Sequence, residues 1–218
     1  MFIGHFGLAF AAKRPAPRVS LATAILAAGW VDVVWPIFLL LGIEHVRIDP
    51  GNTRLTPLDF YDYPWTHSAV MAAAWGIVFG GVHFALKRSA RAAVLLGALV
   101  FSHWALDLLT HGPDLPLWPG GPLVGLGLWR SMAATVIVEL AMFFAGLWLY
   151  LRMTRPRGWV GRLSLGSLVV GVLYLYVVNL QPLPAAATER AIALSGLLGW
   201  LFIPWAWWID WTRRTVHP

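Results

Sequence analysis

The side chains best suited to chemistry stand inside one apolar run. In "FSHWALDLLTHGPDLPLWPGGP", residues 101–122, His103, Asp107 and His111 recur at four-residue steps. On a helix that spacing puts them along one face. Imidazoles and a carboxylate in so apolar a setting are costly unless they are paired or hold a cation. Four other segments carry comparable groups: His5 in "MFIGHFGLAFAA", Asp32 in "GWVDVVWP", His67 in "YPWTHS", and Glu139, which continues a stripe of Ser131 and Thr135. Neutral imidazoles with carboxylates form a ligand set for Zn²⁺, with Mn²⁺ or Fe²⁺ as alternatives. A cation held by three or four of them would neutralise the carboxylates. It would also lower the pKa of a bound water toward about 7 and so supply a nucleophile for hydrolysis. His5, Asp32, His67, His103 and Asp107 are the candidate ligands, and Asp32 or Glu139 the candidate general base. The chain has no cysteine, which excludes disulfides and thiolate ligands.

These residues need elements that bring them together, and the composition says what kind. Hydrophobic residues make up 59% of the chain and charged residues 12%, against roughly 45–50% and about 25% for soluble domains; the mean hydropathy is +0.68. An all-α polytopic membrane protein follows, with residues 1–218 as a single integral membrane domain. At about 20 apolar residues per crossing, six spans are predicted, near 19–42, 67–86, 91–111, 130–151, 162–181 and 190–211. Residues 1–12 are too short to cross and read as a half-helix dipping into the bundle, carrying His5 about 12 Å inward from Lys13 at 1.5 Å per residue. Pro36, four positions after Asp32, is expected to kink the first span and free the Asp32 carbonyl.

The charge pattern gives an orientation. Lys13, Arg14 and Arg18, then Lys87, Arg88 and Arg91, then Arg152, Arg155, Arg157 and Arg162, and finally Arg213 and Arg214 occupy alternate loops. The positive-inside rule then puts both termini in the cytoplasm. The net charge of +6 is spread over these short loops instead of one face, so no nucleic-acid partner is implied. His67 would open the second span and His111 would face water at the outer rim. Asp59 and Asp62 belong to a solvated loop. The Pro- and Gly-rich stretch from Pro113 to Trp129 reads as an irregular loop, with Trp118 and the turn from Pro119 to Pro122 lying over the site as a lid or entrance to substrate.

The early "GHFGLAF", an Asp in the first span, the "THS" of residues 66–68, and "SHWALDLLT" followed by "LPLWP" together resemble the YdjM-like membrane-bound metal-dependent hydrolase family of bacterial inner membranes. The resemblance covers roughly residues 1–120. It implies a metal-dependent hydrolase with His5, Asp32, His67, His103 and Asp107 at the family's recurrent polar positions. The chain has Asp32 alone where relatives have an aspartate doublet, and Tyr63, Pro64 and Trp65 where relatives place an arginine before the T-H-S motif. Arg130 is the candidate replacement as an anion anchor. The expected activity is hydrolysis of a membrane-associated ester or phosphoester, with membrane lipids or lipid-like molecules as substrate. A metal-ion or proton-coupled transporter would use the same side chains as a transit site. A non-catalytic scaffold would use them as interhelical hydrogen bonds.

Overall fold

The computed structural model describes residues 1–184 and 187–216. Apolar sequence dictates most of it, because a backbone without water must satisfy its own hydrogen bonds and does so as helix. The chain begins with α1 (Ile3–Ala11), followed by α2 (Leu21–Ala28) and α3 (Trp30–Leu40). A hairpin, β1 (His45–Ile48) with β2 (Leu58–Asp62), leads to the single turn α4 (Pro64–His67). Then come α5 (Ala69–Lys87) and α6 (Ala90–Thr110), the short hairpin β3 (Leu115–Pro116) with β4 (Leu123–Val124), and α7 (Met132–Met153). Strand β5 (Thr154–Pro156), α8 (Val160–Asn179), α9 (Glu189–Gly196), α10 (Phe202–Thr212) and β6 (Arg213–Thr215) complete it.

Four single helices, α5 to α8, and the stretch from Glu189 to Thr212 are long and apolar enough to cross a membrane, and the bent pair α2–α3 makes a sixth crossing if counted as one. The architecture is therefore the all-α polytopic one the composition implies. Its helices start with side-chain caps: Ser20, Ser68, Ser89, Ser131 and Thr188 each accept a hydrogen bond from a backbone N–H in the first turn that follows. Strands β5 and β6 pair antiparallel and tie the end of α7 to the end of α10.

Two features position the site. The half-helix α1 is indeed internal, packed along α7 and α2, with Ile3, Phe10 and Ala9 essentially inaccessible. It can lie there because Gly7 meets α7 at Gly146: a β-carbon built on Gly146 would stand 1.9 Å from the Gly7 carbonyl oxygen. Only glycine permits that approach. The second feature is the first span, which bends by 55° between α2 and α3. The break falls at Gly29 and not at Pro36. Glycine lacks the β-carbon that favours helix, and α2 ends there. Pro36 continues α3 and packs against Gly196 of α9. The carbonyl put to use by the break is thus Ala28's, not Asp32's.

The loops are more ordered than their sequence suggests. Residues 45–62 form a bulged hairpin, in which Arg47 pairs with Asp59, and residues 115–124 form a second one. The latter is tied to α6 and α5 through its first strand. Trp104 Nε1 donates to the Pro116 carbonyl at 3.1 Å, and Val70 N–H donates to the Leu117 carbonyl at 3.0 Å.

Candidate metal centre

His103 and Asp107 lie one turn apart on α6, and both are buried. The His103 Nε2 is 3.1 Å from Asp107 Oδ2 and 3.5 Å from Asp32 Oδ2, and His67 Nε2 is 3.4 Å from Asp32 Oδ1. His5, from α1, adds its Nε2 at 3.4 Å from Asp107 Oδ1, and its ring lies parallel to that of His103 with centroids 3.6 Å apart. Five side chains from four segments therefore converge. Two overlapping sets, Asp32–His67–His103 and His5–His103–Asp107, have donor atoms within 4.8 Å of one another and could hold a metal ion.

The sequence places each of them for a local reason. Asp32 falls in the first turn of α3, directly after the bend. His67 does not open the long helix as expected from its pattern; it ends the separate turn α4, after which Ser68 is extended and caps α5. Pro64 suits that arrangement because the first helical position needs no N–H. About half of the Asp32 side chain, 47%, is accessible, whereas the His67 and His103 side chains are 7% and 1% accessible. The cluster opens through Asp32.

The rings are oriented from behind. His103 Nδ1 lies 2.8 Å from the Ala28 carbonyl oxygen, which can only accept, so Nδ1 carries a hydrogen and Nε2 faces the carboxylates. Bare imidazole nitrogens facing carboxylate oxygens repel unless a proton or cation lies between them. Donor atoms around a tetrahedral zinc with bonds of about 2.0–2.1 Å stand roughly 3.3–3.4 Å apart, whereas a charge-assisted N–H···O bond is about 2.7–2.9 Å. The His67–Asp32, His103–Asp32 and His5–Asp107 separations of 3.4, 3.5 and 3.4 Å are near the first, and the His103–Asp107 separation of 3.1 Å lies between the two. His5 Nδ1 and Nε2 are also buried without a hydrogen-bond partner among the described residues. The donor set fits a divalent cation. Asp107 Oδ1 has a further neighbour, the Met1 amino nitrogen at 2.5 Å.

The other candidates stand apart from this cluster. Glu139 is buried in α7, and its Oε2 accepts from the backbone N–H groups of Phe2 at 2.8 Å and Gly4 at 3.3 Å. It holds the start of α1, a task that gives the acid a positioning role. Thr135 below it donates to backbone carbonyls. Arg130 lies in a 3₁₀ turn and lines an open depression of about 220 Å³ with Asn52, Asp59, Asp114 and Trp129. Trp118 is 48% exposed, with its ring over Gly121.

Three residues carry more than the sequence indicated. His111 was expected to face water but is buried: its Nδ1 is 3.2 Å from the Tyr63 hydroxyl and 3.1 Å from Asp114 Oδ1, and its ring lies against Trp129. Burial holds the Tyr63 phenol well above its ordinary pKa, so it remains a hydroxyl. Glu44, from the turn after α3, is fully buried and accepts from Trp65 N–H, Thr66 N–H and the Thr66 hydroxyl. Burial pushes its carboxyl above the usual range, against the opposing pull of those donors. Asp210 caps the start of α2 through the N–H groups of Leu21 and Ala22. Local sequence offered only one sign of any of this, the adjacency of Thr66 and His67.

No protein-family model, curated protein or solved structure matches this chain.

Proposed function

We propose that the protein is a membrane-embedded metal-dependent hydrolase acting on a membrane-associated ester or phosphoester. The observation that carries this reading is the donor set of Asp32, His67 and His103, spaced as cation ligands are and open through Asp32. Asp107 and His5 complete it from the α1 side. Zn²⁺ suits two or three imidazoles with one or two carboxylates, and Mn²⁺ or Fe²⁺ are the other ions of matching preference. When bound, such an ion supplies Lewis acidity and acidifies a coordinated water.

The chain's own residues do the rest. His103 and His67 keep their Nε2 atoms directed at Asp32 through contacts behind each ring. Asp32, the accessible carboxylate, is suited to take a proton from an attacking water or to remain a ligand. Glu139 keeps α1, and with it His5, docked. Trp200, partly exposed, donates its indole N–H to the carbonyl of Val33, the residue after Asp32, and an aromatic side chain there suits an acyl-bearing substrate. The resemblance to YdjM-like hydrolases supports the same reading, since the residues it singles out are those of the cluster. The alternation of basic loops supports an inner-membrane orientation with both termini cytoplasmic.

The test is metal analysis of gently purified protein, followed by turnover of phospholipid and simple phosphoester substrates. A near-stoichiometric transition metal, lost in His103→Ala together with turnover, is expected. A metal-free wild type whose melting temperature does not respond to added Zn²⁺ or Mn²⁺ refutes the reading, because a ligand selective for the folded state must raise that temperature.

A further inference from the structure

We propose that Glu44 and Thr66 form a buried relay that dictates which nitrogen of His67 carries the proton, making Glu44 the positioning residue on which His67's capacity to hold a cation depends. The proposal rests on the reading of Asp32, His67 and His103 as a cation site. It comes from counting donors. Glu44 Oε1 receives two backbone N–H groups, Trp65 at 2.7 Å and Thr66 at 2.8 Å, and Oε2 lies 2.7 Å from the Thr66 hydroxyl. A carboxylate only accepts, and a hydroxyl has one proton to give. That proton goes to Glu44. The Thr66 oxygen is also 2.7 Å from His67 Nδ1 and can offer it only a lone pair. Nδ1 must then be the protonated nitrogen, and Nε2 is left to face Asp32 at 3.4 Å.

The chain of contacts is enclosed, which makes the count decisive. Glu44 and Thr66 are inaccessible and His67 is 5% exposed, so bulk water does not substitute for a missing partner. His103 receives the same polarity from a backbone carbonyl, which substitution cannot alter. His67 receives it from two side chains, which substitution can reverse. In Glu44→Gln the amide oxygen must stay on the two N–H groups, so the amide N–H₂ is turned toward Thr66 and donates to it. The Thr66 hydroxyl then donates to His67 Nδ1, and the ring proton moves to Nε2, the atom that faces Asp32. One near-isosteric change, with no contact to the ring itself, closes the ligating nitrogen. Residues that orient a metal-bound histidine in this way typically account for about 10–100-fold in metal affinity.

The experiment uses full-length protein in lipid nanodiscs with isotope-labelled histidine. Long-range nitrogen–proton correlation spectra identify the protonated nitrogen of His67, assigned by its absence in His67→Gln. Wild type and Thr66→Ser are expected to show a protonated Nδ1, whether or not a cation is present, and Glu44→Gln a bare Nδ1 with the proton on Nε2. Zinc titration of the same samples should give wild-type affinity for Thr66→Ser and about 10–100-fold weaker binding for Glu44→Gln. A bare Nδ1 in wild type, or an unchanged protonated Nδ1 in Glu44→Gln, overturns the relay. If Glu44→Gln does not fold, Thr66→Val decides: loss of the single Nδ1–H state, restored by Thr66→Ser, supports the relay, and retention of it does not. Failure of wild type to bind zinc would refute the cation site, while the ring-proton assignment would still judge the relay.

Discussion

Replacing Glu139 separates the general-base role expected from its sequence position from the anchoring of α1 that its hydrogen bonds provide. The acid is inaccessible, its Oε2 accepts from Phe2 and Gly4 N–H at 2.8 and 3.3 Å, and its Oε1 has no partner among the described residues. Glu139→Ala removes both bonds and leaves two N–H groups in an apolar interior. A hydrogen bond to a charged group is worth about 1.5–3 kcal/mol net, and each orphaned donor costs about 1–3 kcal/mol. The longer bond contributes the lesser share, so a loss of about 3 kcal/mol is expected. For a chain of this size about 2–4 °C accompanies each kcal/mol, which gives a melting temperature roughly 6–12 °C lower. Glu139→Gln keeps a carbonyl oxygen for Phe2 and Gly4 and adds one unpartnered amide group, so it should lose only about 1 kcal/mol. The assay is thermal unfolding in nanodiscs, paired with turnover below the transition. Glutamine that preserves stability and turnover, beside alanine that loses both, is the expected pattern. Alanine that melts with wild type would refute the anchoring role, and glutamine that folds and binds metal like wild type but is inactive would make Glu139 a base.

Gly146→Leu should undock α1, because a β-carbon at that position would lie 1.9 Å from the Gly7 carbonyl, whereas Gly166→Leu, which meets nothing within 4 Å, should be neutral; protease sensitivity near residue 12 reads the difference. Burial raises the Glu44 carboxyl above 4.5, so the folded chain binds that proton more tightly than the unfolded chain. Its contribution to folding stability is therefore fully present below 4.5 and is lost as pH rises through the raised value, and zinc affinity should move in the opposite direction. Melting curves of wild type minus Glu44→Gln across that window check the sign. For topology, single cysteines at Thr53 and Gly120 should label from the outside of intact cells and one at Arg157 only after permeabilisation; opposite sidedness for positions 53 and 120 would remove the outward-opening site.

The long helices were legible because hydropathy summed over about 20 residues outweighs any local signal: the second span was expected at 67–86 and is α5, Ala69–Lys87, and the fourth at 130–151 and is α7, Met132–Met153. The pairing of His103 with Asp107 was legible for an equally simple reason, helical spacing on one segment. The bend was assigned to Pro36 when Gly29 makes it, because proline's penalty is read from sequence more easily than glycine's permissiveness. Glu44 was unreadable. It lies 22 positions before Thr66, and only the β1–β2 hairpin, doubling the chain back, brings the two together. His111 was misread because its cover, Tyr63, Phe60 and Trp129, comes from two loops with no periodicity of their own.

The breaks in the helices explain how such a cluster is oriented where water cannot do it. A continuous helix spends its backbone groups on itself, leaving nothing to orient a side chain in the interior. Here three interruptions release a few that point at the cluster or at a residue that supports it. The Ala28 carbonyl, at the end of α2, holds His103. The Trp65 and Thr66 N–H groups, at the start of α4, hold Glu44 and through it His67. The Phe2 and Gly4 N–H groups, at the start of α1, hold Glu139 and fix the helix that carries His5. Asp32 differs: among the described residues its side chain pairs with the two imidazoles themselves, and it is 47% accessible. Fixed nitrogens on one side and an unanchored, accessible carboxylate on the other make Asp32 the member that can move with whatever enters. Asp32→Asn should therefore weaken turnover more than it disturbs the ring geometry, a difference the His67 and His103 resonances would register.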